Sequence, residues 1–186
     1  MTITHLTMAE LEAGLDHIRQ SPQDSGVLEL IVRRPLTDER ELLHEGMLDT
    51  AVGLVGDNWQ ARGSKSMPDG SANLDAQLTL MNSRAADLVA QSRDRWPLAG
   101  DQLYVDFDLS ADNIPPGTRL EIGEAGVEVT PQPHTGCQKF VARFGKDAMK
   151  FVNSAVGKQL HLRGINTRVV QPGTIRIGDA IIKINP

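Results

Sequence analysis

The chain of 186 residues carries 19 Lys and Arg side chains against 24 Asp and Glu, so its net charge is −5. This mild acidity argues against a general nucleic-acid-binding surface, and no stretch approaches the roughly 18 apolar residues of a membrane span. A single cysteine cannot close an internal disulfide, which favours a reducing compartment. We therefore expect a cytoplasmic protein with no membrane or nucleic-acid partner, long enough to fold without a metal or a disulfide.

The first 25 residues are predicted to form an amphipathic helical arm. Thr7 and Glu10 have the T-x-x-E spacing of a capping box at the start of a helix. An apolar stripe with helical spacing follows, made of Met8, Leu11, Leu15 and Ile18. The segment has neither a basic region nor a continuous apolar run, which argues against a secretory signal. Residues 26–186 are assigned to a separate β-rich domain.

From residue 26 onward, short β-type runs alternate with glycine and proline, which predicts a barrel or sandwich rather than βαβ units. Two stretches, IGEAGVEV and QPGTIRIGDAIIKI, have the glycine-containing turns of hairpins. Helices are predicted in residues 82–96 and 146–157, and residues 61–75 form one long polar loop. The predicted strands are Val27–Val32, Leu48–Leu54, Ala76–Leu80, Gln102–Asp106, Arg119–Ile122, Gly126–Thr130, Gln159–Leu162, Ile165–Val170, Thr174–Ile177 and Ala180–Ile184.

The only cysteine, Cys137, lies in PQPHTGCQKF, between a predicted strand and a predicted helix. His134, Lys139 and Arg143 lie within six residues of it, and cationic neighbours favour the thiolate, which is both nucleophile and metal ligand. A buried apolar filler, a nucleophile with a nearby base and a ligand to a metal carried by an organic cofactor all remain open. His134 and Cys137 alone make only half of a four-ligand zinc site.

Three segments in a fixed order resemble the MOSC domain, which is found at the C-terminus of molybdenum cofactor sulfurases and as small stand-alone bacterial proteins. They are VGLVGDNW, then DFDLSADNIPPGTRLEIGEAGVEVTPQPHTGCQKFVARFG, then RGINTRVVQPGTIRIGD. The resemblance extends from about residue 27 to residue 184. It implies a mainly β (α+β) fold, a closed and mostly antiparallel β-barrel with a few peripheral helices.

The resemblance also implies roles for single residues. Cys137 corresponds to the family's cysteine, which carries sulfur or ligates the molybdenum of a pterin cofactor. Asp57 matches the family's G-D motif, Asn113 its asparagine, and Arg168 the arginine of a late strand. Asp57 and Asn113 are equally well explained as residues that stabilise turns.

An anionic cofactor needs cationic side chains around it. Molybdopterin carries phosphate, and Arg143 and Arg168 are the guanidinium groups expected to bind it. His134 and Lys139 are expected to tune the Cys137 thiolate. Arg34, at a predicted strand end, is interpreted as solvated or as part of an anion-binding rim, and Asp101, after a glycine, as a turn residue.

The sequence departs from the family pattern at two positions and in its overall content. Gly136 replaces the proline that commonly precedes the cysteine, and Asp112 replaces the glutamate that usually precedes the asparagine. Nothing resembles the pyridoxal-phosphate domain of full sulfurases, and there is no cysteine-rich run for an iron–sulfur cluster. The implied function is binding a molybdenum–pterin cofactor or carrying sulfur for it. The alternatives are a reductase component for N-hydroxylated compounds, or a ligand-binding barrel without chemistry. An electron-donor or sulfur-donor protein is the expected protein partner.

Overall fold

The computed structural model describes residues 4–184 and contains a closed β-barrel, a small second sheet and a layer of helices. The strands are β1 (Ser25–Arg33), β2 (Glu41–Leu43), β3 (Glu45–Asp49), β4 (Gly53–Leu54), β5 (Leu78–Asn82), β6 (Leu103–Asp106), β7 (Arg119–Ile122), β8 (Ala125–Val129), β9 (Ile165–Gln171), β10 (Gly173–Arg176) and β11 (Ala180–Ile184). The helices are α1 (Met8–Ala13), α2 (Leu15–Arg19), α3 (Trp59–Arg62), α4 (Ser83–Ala90), α5 (Gln138–Phe144), α6 (Lys146–Asn153) and α7 (Ala155–Gln159), with 3₁₀ helices at Leu74–Ala76 and Arg93–Ala99. None of the helices described here is both long enough and apolar enough to cross a membrane.

Seven strands close the barrel in the order β1–β11–β7–β8–β9–β5–β6, and β6 pairs back with β1. Of these pairs, β5 with β6 is parallel and the others are antiparallel. Side chains alternate along β7, where Leu120 and Ile122 are buried and their neighbours exposed, as the two-residue period of a strand requires. The predicted closed, mostly antiparallel barrel is confirmed.

Two apolar clusters hold the barrel and the helices together. Leu103 and Val105 of β6 belong to the cluster inside the barrel, whereas Tyr104 belongs to the cluster between the barrel and the helices. Successive strand residues point to opposite faces, so one strand contributes to both. Phe144 of α5 and Phe151 of α6 are buried in the outer cluster. This packing fixes α5, and therefore the Cys137 segment that precedes it, against the barrel.

The N-terminal segment is a pair of short helices that pack on the domain. The predicted capping box is confirmed, since Thr7 accepts from the backbone N–H of Glu10 and the Glu10 carboxylate accepts from that of Thr7. Gly14 separates α1 from α2. A Cβ there would lie 2.6 Å from a methyl carbon of Leu88, so a larger residue would require the Leu88 side chain to move. Leu11 is fully buried in the outer cluster.

One predicted hairpin is confirmed, and one strand-turn-strand prediction is wrong. IGEAGVEV forms β7 and β8, joined at Gly123, whose φ is 56°. QPGTIRIGDAIIKI forms β10 and β11, but β10 pairs with β3 in the small sheet while β11 pairs with β1 and β7. The turn between them donates from Ile177 N–H to His44 O and from Gly178 N–H to Leu28 O. These hydrogen bonds carry the chain from one sheet to the other.

Two other strand predictions are wrong in detail. The predicted strand Leu48–Leu54 is the end of β3 and the whole of β4, separated by a turn in which Asp49 accepts from Ala51 N–H at 2.8 Å. The predicted strand Gln159–Leu162 is the end of α7 followed by His161 in the left-handed region at φ 48°. Local hydrogen bonds in both places replace the ladder that a strand would need.

The two helix predictions are correct in place but each helix is broken. In residues 82–96, α4 ends before Gln91, whose φ is 62°, and a 3₁₀ helix that contains Pro97 follows. In residues 146–157, α6 ends at Ser154, whose ψ of 171° is extended. The Ser154 side chain accepts from Gly157 N–H at 3.0 Å and begins α7. Gly157 therefore lies inside α7 rather than at a helix end.

Candidate functional site

A cavity of about 370 Å³ opens beside Cys137, between the loop after β1, helix α3, the turn before β6 and the start of α5. We call it the Cys137 pocket. Asp38 is the only carboxylate among the described residues that line it. Six cationic side chains line the pocket, and this concentration of positive charge, in a protein whose net charge is −5, attracts anions. They are Arg34, Arg40, Arg62, Lys139, Arg143 and Arg163.

Cys137 is exposed and stands directly before α5. Its neighbour Gly136 is held by Asn153, whose side chain accepts from Gly136 N–H at 2.8 Å and donates to Gly136 O at 3.1 Å. A Cβ on Gly136 would lie 3.0 Å from a methyl carbon of Val152, so the chain passes too close to α6 for a larger residue to fit easily. Because the Cys137 side chain is exposed, the interpretation of this residue as a buried filler is wrong.

Arg34 and Asp57 form a buried ion pair at the floor of the pocket. The Arg34 guanidinium donates to Asp57 Oδ1 at 2.9 Å and Oδ2 at 2.7 Å, a two-pronged contact that carboxylates and guanidinium groups favour. Its third nitrogen donates to Gly100 O at 2.9 Å. Asp57 also accepts from the backbone N–H of Arg34 and of Trp59. The Arg34 charge is thus largely satisfied by the protein itself.

Arg163 and Asp101 form a second buried pair at the floor. Arg163 donates to Asp101 Oδ2 at 2.6 Å and to Ala99 O at 2.8 Å, and its guanidinium lies over the Phe140 ring. His134 Nδ1 lies 3.5 Å from Asp101 Oδ1. Burial, and then the positive charge of Arg163, lower the pKa of His134 to about 3. The imidazole is therefore neutral near pH 7, and its contact with Asp101 is not an ion pair.

Arg40 and Arg62 lie at the rim and have no carboxylate partner among residues 4–184. Arg40 donates only to the backbone oxygens of Pro97 and Glu39. Burial and then Arg143 lower the pKa of Arg40, and partial burial followed by Arg34 lowers that of Arg62. Since arginine keeps its proton in proteins, these directions mean that two charged guanidinium groups are partly buried beside other positive charges. A bound anion would relieve the repulsion among these charges.

Arg143 and Lys139 also lie at the rim, and both contact the carboxylate of Asp38. Asp38 Oδ1 lies 3.0 Å from Arg143 Nη2 and 3.3 Å from Lys139 Nζ. The hydrogen bond and charge of Lys139 lower the pKa of Asp38, so it is ionised near neutral pH. Asp38 and Lys139 are mostly exposed, and such ion pairs are weak and exchange readily with solvent.

Four buried polar atoms in and behind this pocket have no hydrogen-bond partner among residues 4–184. Three belong to residues that line the pocket, and the fourth is the Asp101 oxygen that faces His134. Unsatisfied buried polar atoms are rare in folded proteins and point to a ligand or an ordered water. The atoms are Asn58 Oδ1, Asp101 Oδ1, His134 Nδ1 and Arg163 Nε.

Four of the residues predicted from the sequence come together at this pocket. Cys137, His134, Lys139 and Arg143 line it. Asp57 does not line it but supports Arg34 from behind.

Two predicted residues lie elsewhere. Arg168 pairs with Glu128 on the barrel surface, and a second carboxylate, that of Asp75, is 3.7 Å away. Asn113 donates to Gln23 O at 2.9 Å and to Asp108 O at 2.8 Å, and it accepts from Lys183. These contacts give both residues a structural explanation, and neither lines the Cys137 pocket.

Sequence reasoning missed most of the pocket's other polar residues. Arg40, Arg62 and Arg163 occur in no recognisable motif, and each comes from a different part of the chain. Asp101 was interpreted as a turn residue because it follows Gly100, but its side chain is fully buried and pairs with Arg163. The sequence shows only that Asp101 follows a glycine; the fold is needed to show that Arg163 lies against it.

The protein's own side chains offer few ligands for a free metal ion. Within the described range, no three His, Cys, Asp or Glu side chains group together as a metal site.

The fold is similar to several solved structures at low sequence identity. The YuaD protein from Bacillus subtilis matches with a TM-score of 0.62 and 18% identity, over 84% of this chain and 94% of that one. A hypothetical protein matches with a TM-score of 0.60 and 20% identity, over 91% and 71%. YiiM from Escherichia coli matches with a TM-score of 0.55 and 20% identity, over 86% and 70%. At these identities the likeness establishes the fold, and no curated protein matches the chain.

The MOSC domain model matches residues 68–182, more than half of the chain. The matched range begins in the loop before β5, ends in β11 and includes Cys137, Arg143 and Arg163. Arg34, Arg40 and Arg62 precede it, so part of the cationic pocket comes from a region outside the match. The family is associated in general with the molybdenum cofactor. With the barrel as the shared fold and the match covering most of it, the chain belongs to the MOSC domain family.

Proposed function

We propose that the protein binds a phosphate-bearing molybdenum–pterin cofactor in the Cys137 pocket. The observation that carries this proposal is the set of six cationic side chains around a cavity that also exposes the only cysteine. Guanidinium groups match the geometry of phosphate oxygens. A thiolate is a soft ligand suited to a transition metal.

The pocket's residues fit such a group on chemical grounds. The rim arginines Arg40 and Arg62 lack carboxylate partners in the described structure, so their charges are available to an anion. Asn58 Oδ1 and Arg163 Nε are a buried acceptor and a buried donor without partners, and both belong to residues that line the pocket. A heterocycle with donor and acceptor edges could satisfy such atoms after a small side-chain adjustment.

The residues divide into two roles in this proposal. Arg40, Arg62 and Arg143 would hold the phosphate, because all three line the cavity at its rim. Cys137 would hold the metal side through its sulfur. When bound, the cofactor would supply a metal centre that can exchange electrons or sulfur with another molecule. The His134 imidazole, which also lines the pocket, is neutral near pH 7 and would add no positive charge to that of the arginines.

The accessibility of the Cys137 thiol supports a second candidate, in which the same residue carries sulfur for the cofactor. A sulfur carrier must present its sulfur to a donor and then to an acceptor, and Cys137 is exposed. A sulfur-donor protein would then be the partner. An electron-donor protein would be the partner if the bound cofactor reduces a substrate such as an N-hydroxylated compound.

The first test is the molybdenum content of the full chain, purified from a cofactor-producing host supplied with molybdate. Elemental mass spectrometry would be applied to wild type, Cys137→Ala, Arg62→Met and Arg168→Met. We expect stoichiometric molybdenum in wild type and none in Cys137→Ala. Arg62→Met should retain less molybdenum than wild type through purification, because the loss of one charged hydrogen bond weakens binding about tenfold. Arg168→Met is the matched control and should behave as wild type, because Arg168 lies outside the pocket.

Two results would contradict the proposal. Molybdenum that is equal in wild type and Cys137→Ala would remove Cys137 as the ligand. Wild-type protein with neither molybdenum nor a persulfide on Cys137, the latter read by intact-mass spectrometry, would remove both candidates. A persulfide without molybdenum would select the sulfur-carrier role.

A further inference from the structure

A second cavity, of about 440 Å³, lies next to the Cys137 pocket. It is bounded by the segment 129–135, by the turn after α7 and by the start of β9. Neither Cys137 nor the rim arginines Arg40, Arg62 and Arg143 line it. Five residues line both cavities, and we call them the shared wall: Gln132, Pro133, His134, Arg163 and Asn166.

The lining of this second cavity is mainly apolar. Val129, Val152 and Ile165 contribute aliphatic surface, and Pro116, Pro131 and Pro133 contribute rings without a backbone N–H. Small-molecule sites are typically concave, about 300–1,000 Å³ in volume and mostly apolar, with a few polar groups that orient the ligand. The second cavity has the size and lining of such a site.

The charged groups of the second cavity are all positive. No Asp or Glu occurs among the described residues that line it, whereas Lys158 and Arg163 do. Arg163 is already paired with Asp101 in the wall. Lys158 is exposed on α7 and makes no ion pair within residues 4–184. Its ammonium group is therefore the free charge of this cavity, and it favours an anionic ligand.

His161 adds a second polar group beside Lys158. Its Nδ1 lies 2.6 Å from Leu109 O, and since a carbonyl only accepts, Nδ1 must carry a proton. The other ring nitrogen, Nε2, has no partner in the described part of the chain. In the protonated ring, Nε2 is also a donor. His161 can thus support an anion held by Lys158.

We propose that the second cavity binds a small, mainly apolar organic anion, such as an aromatic monocarboxylate. Its apolar body would lie against Val152 and Ile165, and its charged group would face Lys158. A ligand held there would be separated from the Cys137 pocket only by the shared wall. It would therefore be a neighbour of whatever the first pocket binds, without competing for the rim arginines Arg40, Arg62 and Arg143.

The test compares three probes of similar size and different charge, by isothermal titration calorimetry with the full chain. Benzoate should bind more tightly than the neutral benzamide, and the cationic benzylamine should bind least. Lys158→Glu should weaken benzoate binding about fivefold or more, because a partly exposed charge contact is removed and its sign reversed. Lys150→Glu makes the same change of net charge on exposed α6, outside the cavity, and should leave benzoate binding unchanged.

A second variant tests the place of binding rather than the charge. Ala111 lines the cavity and is partly exposed, so Ala111→Trp should fill the space with little effect on the fold and should abolish benzoate binding. Failure of wild type to bind benzoate at millimolar concentration would overturn the proposal. Equal binding of benzamide and benzoate, or equal weakening by Lys150→Glu and Lys158→Glu, would overturn the assignment of an anion to this cavity.

Discussion

The Cys137 pocket contains two kinds of arginine, and they differ in what satisfies their charge. At the floor, Arg34 pairs with Asp57 and Arg163 pairs with Asp101, and both carboxylates are fully buried. At the rim, Arg40 and Arg62 have no carboxylate partner among residues 4–184. Arginine side chains thus stabilise the fold at the floor of the pocket, whereas at the rim their charges remain available to an anion.

The difference follows from burial. A buried charge must be paired, because removing it from water costs several kcal/mol. A rim charge keeps part of its hydration, so it can stay unpaired until an anion arrives. The floor arginines are expected to matter for folding and the rim arginines for binding. Substitutions at the floor and at the rim test this difference, and those at the floor are described first.

The largest effect is expected from Asp57→Ala, which leaves Arg34 buried without its partner. Asp57 accepts from the Arg34 guanidinium and from backbone N–H groups of Arg34 and Trp59. Breaking a buried pair on one side typically costs about 3–5 kcal/mol in the free energy of unfolding. Urea unfolding of the purified protein measures it. Asp16→Ala removes an exposed ion pair with Arg19 and serves as the control, with no measurable change expected. Equal urea midpoints for the two variants would show that the buried floor pair contributes no more to stability than an exposed ion pair.

The next effect concerns His134, which lies against the floor pair of Asp101 and Arg163. Its pKa is about 3 in the folded protein and about 6.5 in the unfolded chain. Between these values the unfolded chain binds the extra proton, so stability falls as the pH decreases below about 6.5. By pH 5 this contribution amounts to about 2 kcal/mol relative to pH 8.

The measurement is the free energy of unfolding from pH 8 to pH 5 for wild type and His134→Gln. Other titrating groups act on both proteins, so the difference between the two curves isolates His134. We expect the free energy of unfolding of wild type to decrease relative to that of His134→Gln as the pH is lowered. Parallel curves would show that His134 titrates normally, in a site more hydrated than its burial indicates.

Much of the fold was predictable because it depends on local patterns. The glycine turn in IGEAGVEV predicted a hairpin, and the structure contains it as β7 and β8 joined at Gly123. The Thr7–Glu10 capping box is equally local. The second hairpin prediction failed because β10 pairs with β3, which is more than a hundred residues away in the sequence. Such pairing depends on the closure of the whole barrel, which no short window encodes.

The site was predictable only where residues cluster along the chain. Cys137, His134, Lys139 and Arg143 lie in one segment, and all four line one pocket. Arg62 and Arg163 reach the same pocket from α3 and from the turn before β9, and nothing local distinguishes them from surface arginines. Arg168 was an equally plausible anion ligand in the sequence, but it lies on a strand facing Glu128. Only the fold separates these arginines.

The smallest expected effect sharpens the comparison at the rim, where Asp38 contacts Arg143 and Lys139. The Asp38 carboxylate occupies part of the positive charge that an anionic ligand would use, so Asp38→Asn should raise the affinity for inorganic pyrophosphate about threefold, as expected for weak exposed ion pairs. Asparagine tolerates the left-handed backbone of Asp38, φ 64°, so the loop should keep its shape. Calorimetric titration of pyrophosphate measures the change.

Glu41→Gln is the control for this prediction. It removes one negative charge outside the pocket, beside Arg33, and should leave the affinity nearly unchanged. If both variants bind pyrophosphate equally well, net charge alone governs binding, and the contacts of Asp38 with Arg143 and Lys139 have no specific effect on affinity. A gain confined to Asp38→Asn would mean that the rim holds a weak internal anion, which a phosphate must displace to enter.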